Sequence, residues 1–156
     1  MIRKCSFLTR TEEETLLLGR LLGSLLPEGA FLILKGDLGC GKTVLTRGIA
    51  SALGVSEEEV SSPSFNIVHD YGNLVHIDFY RLSSPEEVYD LGFDEILEDE
   101  RVKVAEWGEL VRDLIESPIT IECKEVEGGR EFTLYDPTGK ICQQLTKLWR
   151  EHVKDS

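Results

Sequence analysis

The chain has 156 residues, of which 41% are hydrophobic, enough for one domain with its own core and too many for a disordered chain. Its 17 basic and 29 acidic side chains give a net charge of −12, and such an acidic surface disfavours direct, tight binding of RNA or DNA. No apolar run approaches the length of a membrane-spanning helix, and the N-terminus lacks the apolar segment of a signal peptide. We therefore expect a cytoplasmic protein without membrane association, folded as one domain over residues 1–156.

In the first half of the chain, the hydrophobic pattern predicts strands that alternate with helices. Thr11 and Glu14 have the spacing of a capping box, so a helix should begin at Thr11. The apolar run of residues 30–36 is typical of a strand buried on both faces of a parallel sheet. The predicted elements are a strand over residues 4–8, a helix from Thr11, a strand over 30–36 and a helix over 42–53 that Gly54 ends.

In the second half, Gly72 and Asn73 form a tight turn between two predicted strands, and Ser84 is the N-cap of a short helix. The remaining predictions are strands over residues 65–72, 74–82 and 102–107, a helix over 108–115, a hairpin over 119–136 and an amphipathic helix over 140–154. This order predicts an α/β fold of the P-loop NTPase type. Its mixed, mostly parallel sheet would be flanked by helices and followed by a C-terminal β-hairpin and a terminal helix.

The four cysteines are scattered and form no C-x-x-C pair. They are Cys5, Cys40, Cys123 and Cys142. This spacing argues against a metal site and predicts free thiols in a reducing compartment.

The segment GDLGCGKT, residues 36–43, has the P-loop spacing G-x-x-x-x-G-K-[ST] between a predicted strand and a predicted helix. Glycines let backbone N–H groups turn inward around an anion, and the N-terminus of the following helix adds favourable partial charge. The Lys42 amine would reach the β- and γ-phosphates of a nucleotide, and the Thr43 hydroxyl would bind Mg²⁺. The predicted nucleotide-binding residues are Asp37, Leu38, Gly39, Cys40, Gly41, Lys42, Thr43 and Val44.

Two acidic residues each end an apolar run, Asp78 in LVHIDFY and Glu106 in VKVAEW. A carboxylate at such a position is costly unless a cation lies nearby. Because parallel strands end at one edge of a sheet, we expect both acids beside the glycine loop. Asp78 is the best candidate for binding Mg²⁺. Glu106 would bind the metal as well, or orient and deprotonate the attacking water.

Absent motifs narrow the choice of nucleotide and reaction. The guanine-reading segment N-K-x-D does not occur, which favours an adenine nucleotide. Small-molecule P-loop kinases close a lid of several arginines over the phosphates, whereas the nine arginines here are dispersed. Arg81 is the only arginine close to a site residue in the sequence, and it would touch phosphate or form a surface salt bridge.

Four segments together resemble the TsaE (YjeE) family of small bacterial P-loop ATPases in tRNA threonylcarbamoyladenosine synthesis. They are GDLGCGKT (36–43), SPSF (62–65), HIDFYRL (76–82) and VAEW (104–107), and the resemblance covers about residues 5 to 135. The family's usual segments are similar to G-[DE]-L-G-A-G-K-[ST], S-P-T-[FY], [HY]-x-D-x-Y-R and x-E-W. Cys40 and Ser64 therefore stand where the family usually has Ala and Thr.

The resemblance implies roles for individual residues. It assigns phosphate binding to Gly39, Gly41, Lys42 and Thr43, and Mg²⁺ binding to Thr43 and Asp78. It makes Glu106 a functional acid, with Trp107 beside it. It also places a switch-like loop near the γ-phosphate, made of Ser62, Pro63, Ser64 and Phe65.

The resemblance further implies an ATPase that uses ATP and Mg²⁺ and is required for threonylcarbamoylation of adenosine next to the anticodon in tRNA. Its partner would be the TsaD–TsaB complex, so that tRNA is contacted only indirectly. Since no arginine finger is evident, hydrolysis should be weak without partners. One alternative is a small-molecule kinase, which the missing arginine lid disfavours. The other is a non-hydrolysing, nucleotide-dependent binding module, which the presence of Lys42, Thr43, Asp78 and Glu106 disfavours.

Overall fold

A computed structural model of the protein describes residues 2–37, 39–56, 60, 68–79, 84–90, 92–106 and 112–153. In these ranges, strands are interleaved with helices up to residue 106, and a β-hairpin and a helix follow, as the sequence predicts. The strands are β1 (Arg3–Thr9), β2 (Phe31–Lys35), β3 (Val68–Asp70), β4 (Leu74–Asp78), β5 (Val102–Glu106), β6 (Ile119–Val126) and β7 (Gly129–Asp136). The helices are α1 (Glu12–Leu25), α2 (Lys42–Ala52), α3 (Pro85–Asp90), α4 (Phe93–Glu98) and α5 (Lys140–His152).

The strands form one sheet in the order β1-β7-β6-β2-β5-β4-β3. Its centre is parallel, because β2 pairs in parallel with β5 and β6, and β4 pairs in parallel with β5. The β1–β7, β6–β7 and β3–β4 pairs are antiparallel. The predicted mixed, mostly parallel sheet with flanking helices is therefore confirmed, as are the C-terminal hairpin and the terminal helix.

Hydrophobic side chains cover both faces of this sheet. Leu32 and Leu34 of β2 point into a core that also contains residues of α1, α2 and α5. Phe31 and Ile33 point to the other face, into a second core with residues of β4, α3 and α4. Because β2 is buried on both faces, it is a rigid support for the glycine loop that follows it.

Helices α1 and α2 lie in close contact, which positions the start of α2. A Cβ atom on Gly19 of α1 would come within 2.4 Å of the Leu45 carbonyl oxygen, and one on Gly48 of α2 within 2.3 Å of the Leu16 carbonyl oxygen. Only glycine fits at such distances. The predicted cap of α1 is also present, since the Thr11 side chain accepts a hydrogen bond from the Glu14 N–H at 3.1 Å.

Helix α4 was not predicted. Its sequence, FDEILE, is six residues long, too short for its periodicity to be informative. Tertiary packing stabilises it, because the Phe93 ring is fully buried and makes edge contacts with the rings of Phe31 and Phe79. Of the helix predicted over residues 108–115, only 112–115 lie in the described part, where Arg112–Leu114 is one turn of 3-10 helix.

The prediction of free thiols is wrong. All four cysteines form disulfides, Cys5 with Cys142 and Cys40 with Cys123. The first links β1 to α5, and the second links the glycine loop to β6. The paired cysteines lie 137 and 83 residues apart in the sequence, so no short spacing pattern indicates which cysteines pair. Only the order of the strands in the sheet brings them together.

The C-terminal helix packs on the sheet, as its apolar face predicts. Leu145 is fully buried, and the Trp149 ring makes an edge contact with the ring of Phe7 at a centroid distance of 6.0 Å. In the described ranges, no helix has the length and apolar character needed to cross a membrane.

Candidate functional site

The glycine loop connects the carboxyl end of β2 to the amino end of α2. Gly36 has φ 144°, a region that side chains disfavour, and a Cβ there would lie 2.8 Å from the Cys123 carbonyl oxygen. The loop therefore passes close to β6 before turning into α2 at Lys42. The amino end of a helix carries a partial positive charge, which makes the loop suited to an anion.

Both predicted acids lie at the edge of the sheet that carries the glycine loop. Asp78 is the register partner of Glu106, and Glu106 is the register partner of Leu34 on β2. The carboxyl ends of three adjacent parallel strands therefore meet beside the loop. The sequence prediction of where the two acids lie agrees with this geometry, whereas their chemical roles remain predictions.

Lys42 and Glu106 face each other at the start of α2. The Lys42 amine donates a hydrogen bond to the Gly36 carbonyl oxygen at 2.7 Å and lies 3.7 Å from a Glu106 carboxylate oxygen. Both residues are buried. The lysine is thus held inside the curve of the glycine loop.

Glu106 is also hydrogen-bonded to His76, a contact that sequence reasoning missed. His76 is fully buried on β4, and its Nε2 lies 2.8 Å from Glu106 Oε2. Burial alone would raise the pKa of Glu106, but the hydrogen bond from His76 and the charges of His76 and Lys42 outweigh it and lower the pKa. The carboxylate is therefore ionised at neutral pH, and His76 is the donor. Because side chains alternate between the two faces of a strand, His76 and Asp78 of β4 lie on the same face. This alternation was the only signal in the sequence that could have placed His76 near the site.

Replacing His76 with Phe is expected to lower the free energy of unfolding by about 1–3 kcal/mol at neutral pH, because the buried Glu106 carboxylate would lose its donor. Urea unfolding measures this loss. The control is His152→Phe, at an exposed position near the end of α5, which should change stability by less than about 0.5 kcal/mol. Equal effects of the two substitutions would contradict the importance of the His76–Glu106 bond.

The chemistry of the donor set fits a nucleotide-bound Mg²⁺ ion. In the part of the chain that the structure describes, no group of three or more His, Cys, Asp or Glu residues could hold a metal ion. Mg²⁺ in nucleotide sites needs only one or two protein ligands, because phosphates and waters supply the others. Asp78 ends β4 and Thr43 lies in the first turn of α2, so one carboxylate and one hydroxyl lie at this edge.

Several predicted residues lie outside the described ranges. They are Leu38 of the glycine loop, the switch residues Ser62, Pro63, Ser64 and Phe65, and Arg81 and Trp107. Asp37, Gly39, Cys40, Gly41 and Val44 lie in the loop or the first turn of α2, and their role in nucleotide binding remains a prediction. An open cavity of about 620 Å³ lies between the loop and β6. Another, of about 510 Å³, lies near the start of β2 and β6 and contains none of the predicted site residues.

The class of P-loop NTPase-like α/β proteins is defined by a mostly parallel sheet in which a glycine loop joins a strand to a helix. Acidic residues at the ends of neighbouring strands lie beside that loop. The crystal structure of YdiB from Bacillus subtilis has this fold. It superposes with a TM-score of 0.74 over 97% of this chain and 97% of YdiB, with 28% sequence identity.

Sequence comparison identifies the family within this class. The model of the family "Threonylcarbamoyl adenosine biosynthesis protein TsaE" matches residues 9–132. A relative from Treponema pallidum, named tRNA threonylcarbamoyladenosine biosynthesis protein TsaE, is 38% identical over 131 residues, covering 81% of this chain and 96% of the relative. The protein of that name from Bacillus subtilis is 30% identical over 155 residues, covering 94% and 96%. The chain belongs to the TsaE family.

Proposed function

We propose that this protein binds ATP with Mg²⁺ in the glycine loop and hydrolyses it in support of tRNA threonylcarbamoylation. The observation that carries the proposal is the meeting of Lys42, Glu106 and Asp78 at the end of three adjacent parallel strands. A cation inside an anion-binding loop and two acids beside it are the groups that phosphoryl transfer to water needs. The names of the relatives support the link to tRNA modification.

In the proposed mechanism, Lys42 and the N–H groups of the loop hold the phosphates. Thr43 and Asp78 would hold Mg²⁺, which neutralises charge on the phosphates when bound. Glu106 is ionised and held by His76 through Oε2. Its Oε1 lies 3.7 Å from the Lys42 amine and would orient a water molecule and accept a proton from it when the phosphates hold Lys42. The proposed switch at residues 62–65 would respond to the γ-phosphate and change affinity for a partner.

We propose the TsaD–TsaB complex as the partner, which transfers the threonylcarbamoyl group to the adenosine next to the anticodon. The net charge of −12 supports a protein partner over direct contact with tRNA, since an acidic surface repels the phosphate backbone. A cytoplasmic location follows from this partnership.

Disulfides are uncommon in the cytoplasm. Here, burial of Cys40, Cys123 and Cys142 would limit access of reductants.

Phosphate release should be slow with the protein alone and increase at least about 10-fold when TsaD–TsaB is added, because groups supplied by a partner can accelerate such reactions greatly. The experiment compares the protein alone, with TsaD–TsaB, and with TsaD–TsaB plus tRNA. Radiolabelled γ-phosphate should appear as free phosphate. Equal turnover with and without the complex would refute the partner stimulation, and transfer of the label to a metabolite would refute ATP hydrolysis as the function.

A further inference from the structure

A cavity of about 510 Å³ lies at the edge of the sheet opposite the glycine loop. It lies between the segment that leads into β2, the end of α4 and the connection from β7 to α5. The apolar residues that line it include Phe31, Leu97, Leu114, Ile115, Ile119 and Ile141. The exposed residues Pro27, Glu28 and Gly29 line it as well, so the cavity is open to solvent. Its volume and its largely apolar lining are typical of small-molecule sites in proteins.

Lys103 is the one basic residue among those that line this cavity in the described part of the chain. It lies on β5 between Phe31 of β2 and Val75 of β4, which are its register partners. Register partners lie on the same face of a sheet, so the Lys103 side chain lies on the face of the second hydrophobic core, to which Phe31 and Val75 belong. Only 1% of Lys103 is exposed to solvent, and lysine is almost never buried so fully unless it is paired.

The Lys103 amine has one acceptor in the described ranges, the Asp99 carbonyl oxygen at the end of α4. An ammonium group has three N–H donors, so this bond leaves two of them without a protein acceptor there. In the same ranges, the amine forms no ion pair with a carboxylate. The Asp99 carboxylate is already bound by Arg101, whose Nε and Nη2 lie 3.0 and 2.7 Å from its two oxygens.

The described acidic residues around the cavity do not neutralise Lys103. Asp136 also lines it, but its carboxylate accepts hydrogen bonds from the Thr138 N–H, the Thr138 hydroxyl and the Cys142 N–H. The two glutamates among the lining residues are exposed to solvent. Burial is the main effect on the Lys103 amine and lowers its pKa, because a charged amine is unfavourable away from water. An anion in the cavity would provide both an acceptor and the opposite charge.

We propose that this cavity binds a small organic acid, whose carboxylate pairs with the Lys103 amine and whose hydrocarbon part packs against the apolar walls. A singly charged carboxylate matches the single amine, whereas a phosphate group carries more charge and needs more donors. Burial of the hydrocarbon part adds affinity in proportion to its area. The site lies at the opposite edge of the sheet from the glycine loop, so this inference does not depend on the proposed function.

The test is calorimetric titration of the full chain with octanoate, and with 1-octanol as the uncharged ligand of the same length. Octanoate should bind at least about 10-fold more tightly than 1-octanol, as expected for a charge-assisted hydrogen bond. Lys103→Met should abolish this preference by weakening octanoate binding about 10- to 100-fold, while 1-octanol binding is unchanged. Lys147→Met is the matched control, since it removes the same charge from an exposed position on α5.

Amide NMR spectra of the protein locate the bound ligand. Octanoate should shift the signals of Phe31, Ile115 and Ile119, which line the cavity, and leave the signal of Gly41 in the glycine loop unchanged. Equal affinities for octanoate and 1-octanol, equal octanoate affinities of the two variants, or shifts confined to other parts of the chain would each overturn the proposal, as would the absence of octanoate binding. The comparison of the two ligands on the unmodified protein uses no substitution, so it decides the question even if Lys103→Met does not fold.

Discussion

Glu106→Gln is expected to slow ATP hydrolysis by about 10²- to 10⁴-fold, the usual contribution of a general base. Glutamine has the same shape and can still accept the hydrogen bond that His76 now donates to Glu106 at 2.8 Å, but it cannot accept a proton from water. Phosphate release under single-turnover conditions, with and without TsaD–TsaB, measures the change in the chemical step.

Nucleotide affinity should respond differently from hydrolysis in this variant. The Glu106 carboxylate lies 3.7 Å from the Lys42 amine and competes with phosphate for this cation. We therefore expect the Glu106→Gln variant to bind Mg–ATP as tightly as the unmodified protein or a few-fold more tightly, which calorimetry can measure. Weaker binding by 10-fold or more would indicate that Glu106 is a metal ligand instead of a base.

The control for Glu106→Gln is Glu116→Gln. Glu116 is exposed and lies near the start of β6, at the opposite edge of the sheet from the glycine loop. Both substitutions remove one negative charge. A similar decrease of hydrolysis in the two variants would show a general charge effect, and unchanged hydrolysis in Glu106→Gln would mean that no base at residue 106 takes part.

The second large effect concerns stability. Removing the Cys5–Cys142 disulfide in a Cys5→Ala, Cys142→Ala double variant should lower the free energy of unfolding by about 2–5 kcal/mol. The bond joins residues 137 positions apart, so it restricts nearly the whole unfolded chain. Urea unfolding at neutral pH, with and without a dithiol reductant, measures the difference.

The Cys40–Cys123 disulfide provides an internal comparison. It joins residues 83 positions apart, and because loop-closure entropy grows slowly with length, its removal should cost nearly as much. Cys40→Ala with Cys123→Ala should also weaken Mg–ATP binding, since the bond holds the glycine loop against β6. The Cys5–Cys142 variant should bind normally. Four reactive thiols in unreduced, urea-unfolded protein would disprove both disulfides.

The features of the site that depend on local sequence could be predicted. The glycine loop is a motif of eight consecutive residues, and its place between an apolar run and a helical pattern indicated β2 and α2. Asp78 and Glu106 were found because each ends an apolar run, and parallel strands end at one edge. Neighbouring residues alone carry this information, so no knowledge of the strand order was needed.

The contacts around these residues could not be predicted. Nothing in the local sequence distinguishes His76 from the other residues of its strand. Its hydrogen bond to Glu106 depends on β4 lying beside β5. The Arg130 side chain of β7 donates a hydrogen bond to the Gly39 carbonyl oxygen, 91 positions earlier, and only the return of the β6–β7 hairpin to the loop edge brings them together. Helix α4 is too short for a periodic signal and depends on the burial of Phe93.

By itself, the sequence determined the α/β class, the position of the glycine loop with Lys42 and Thr43, and the position of the two acids, because each depends on a short run of consecutive residues. Only the tertiary structure decided which strands are neighbours. From that order follow the cysteine pairs, the hydrogen bond between His76 and Glu106, and the position of Arg130. The physical reason is that strand pairing depends on the combined burial of many distant side chains, which no local pattern records.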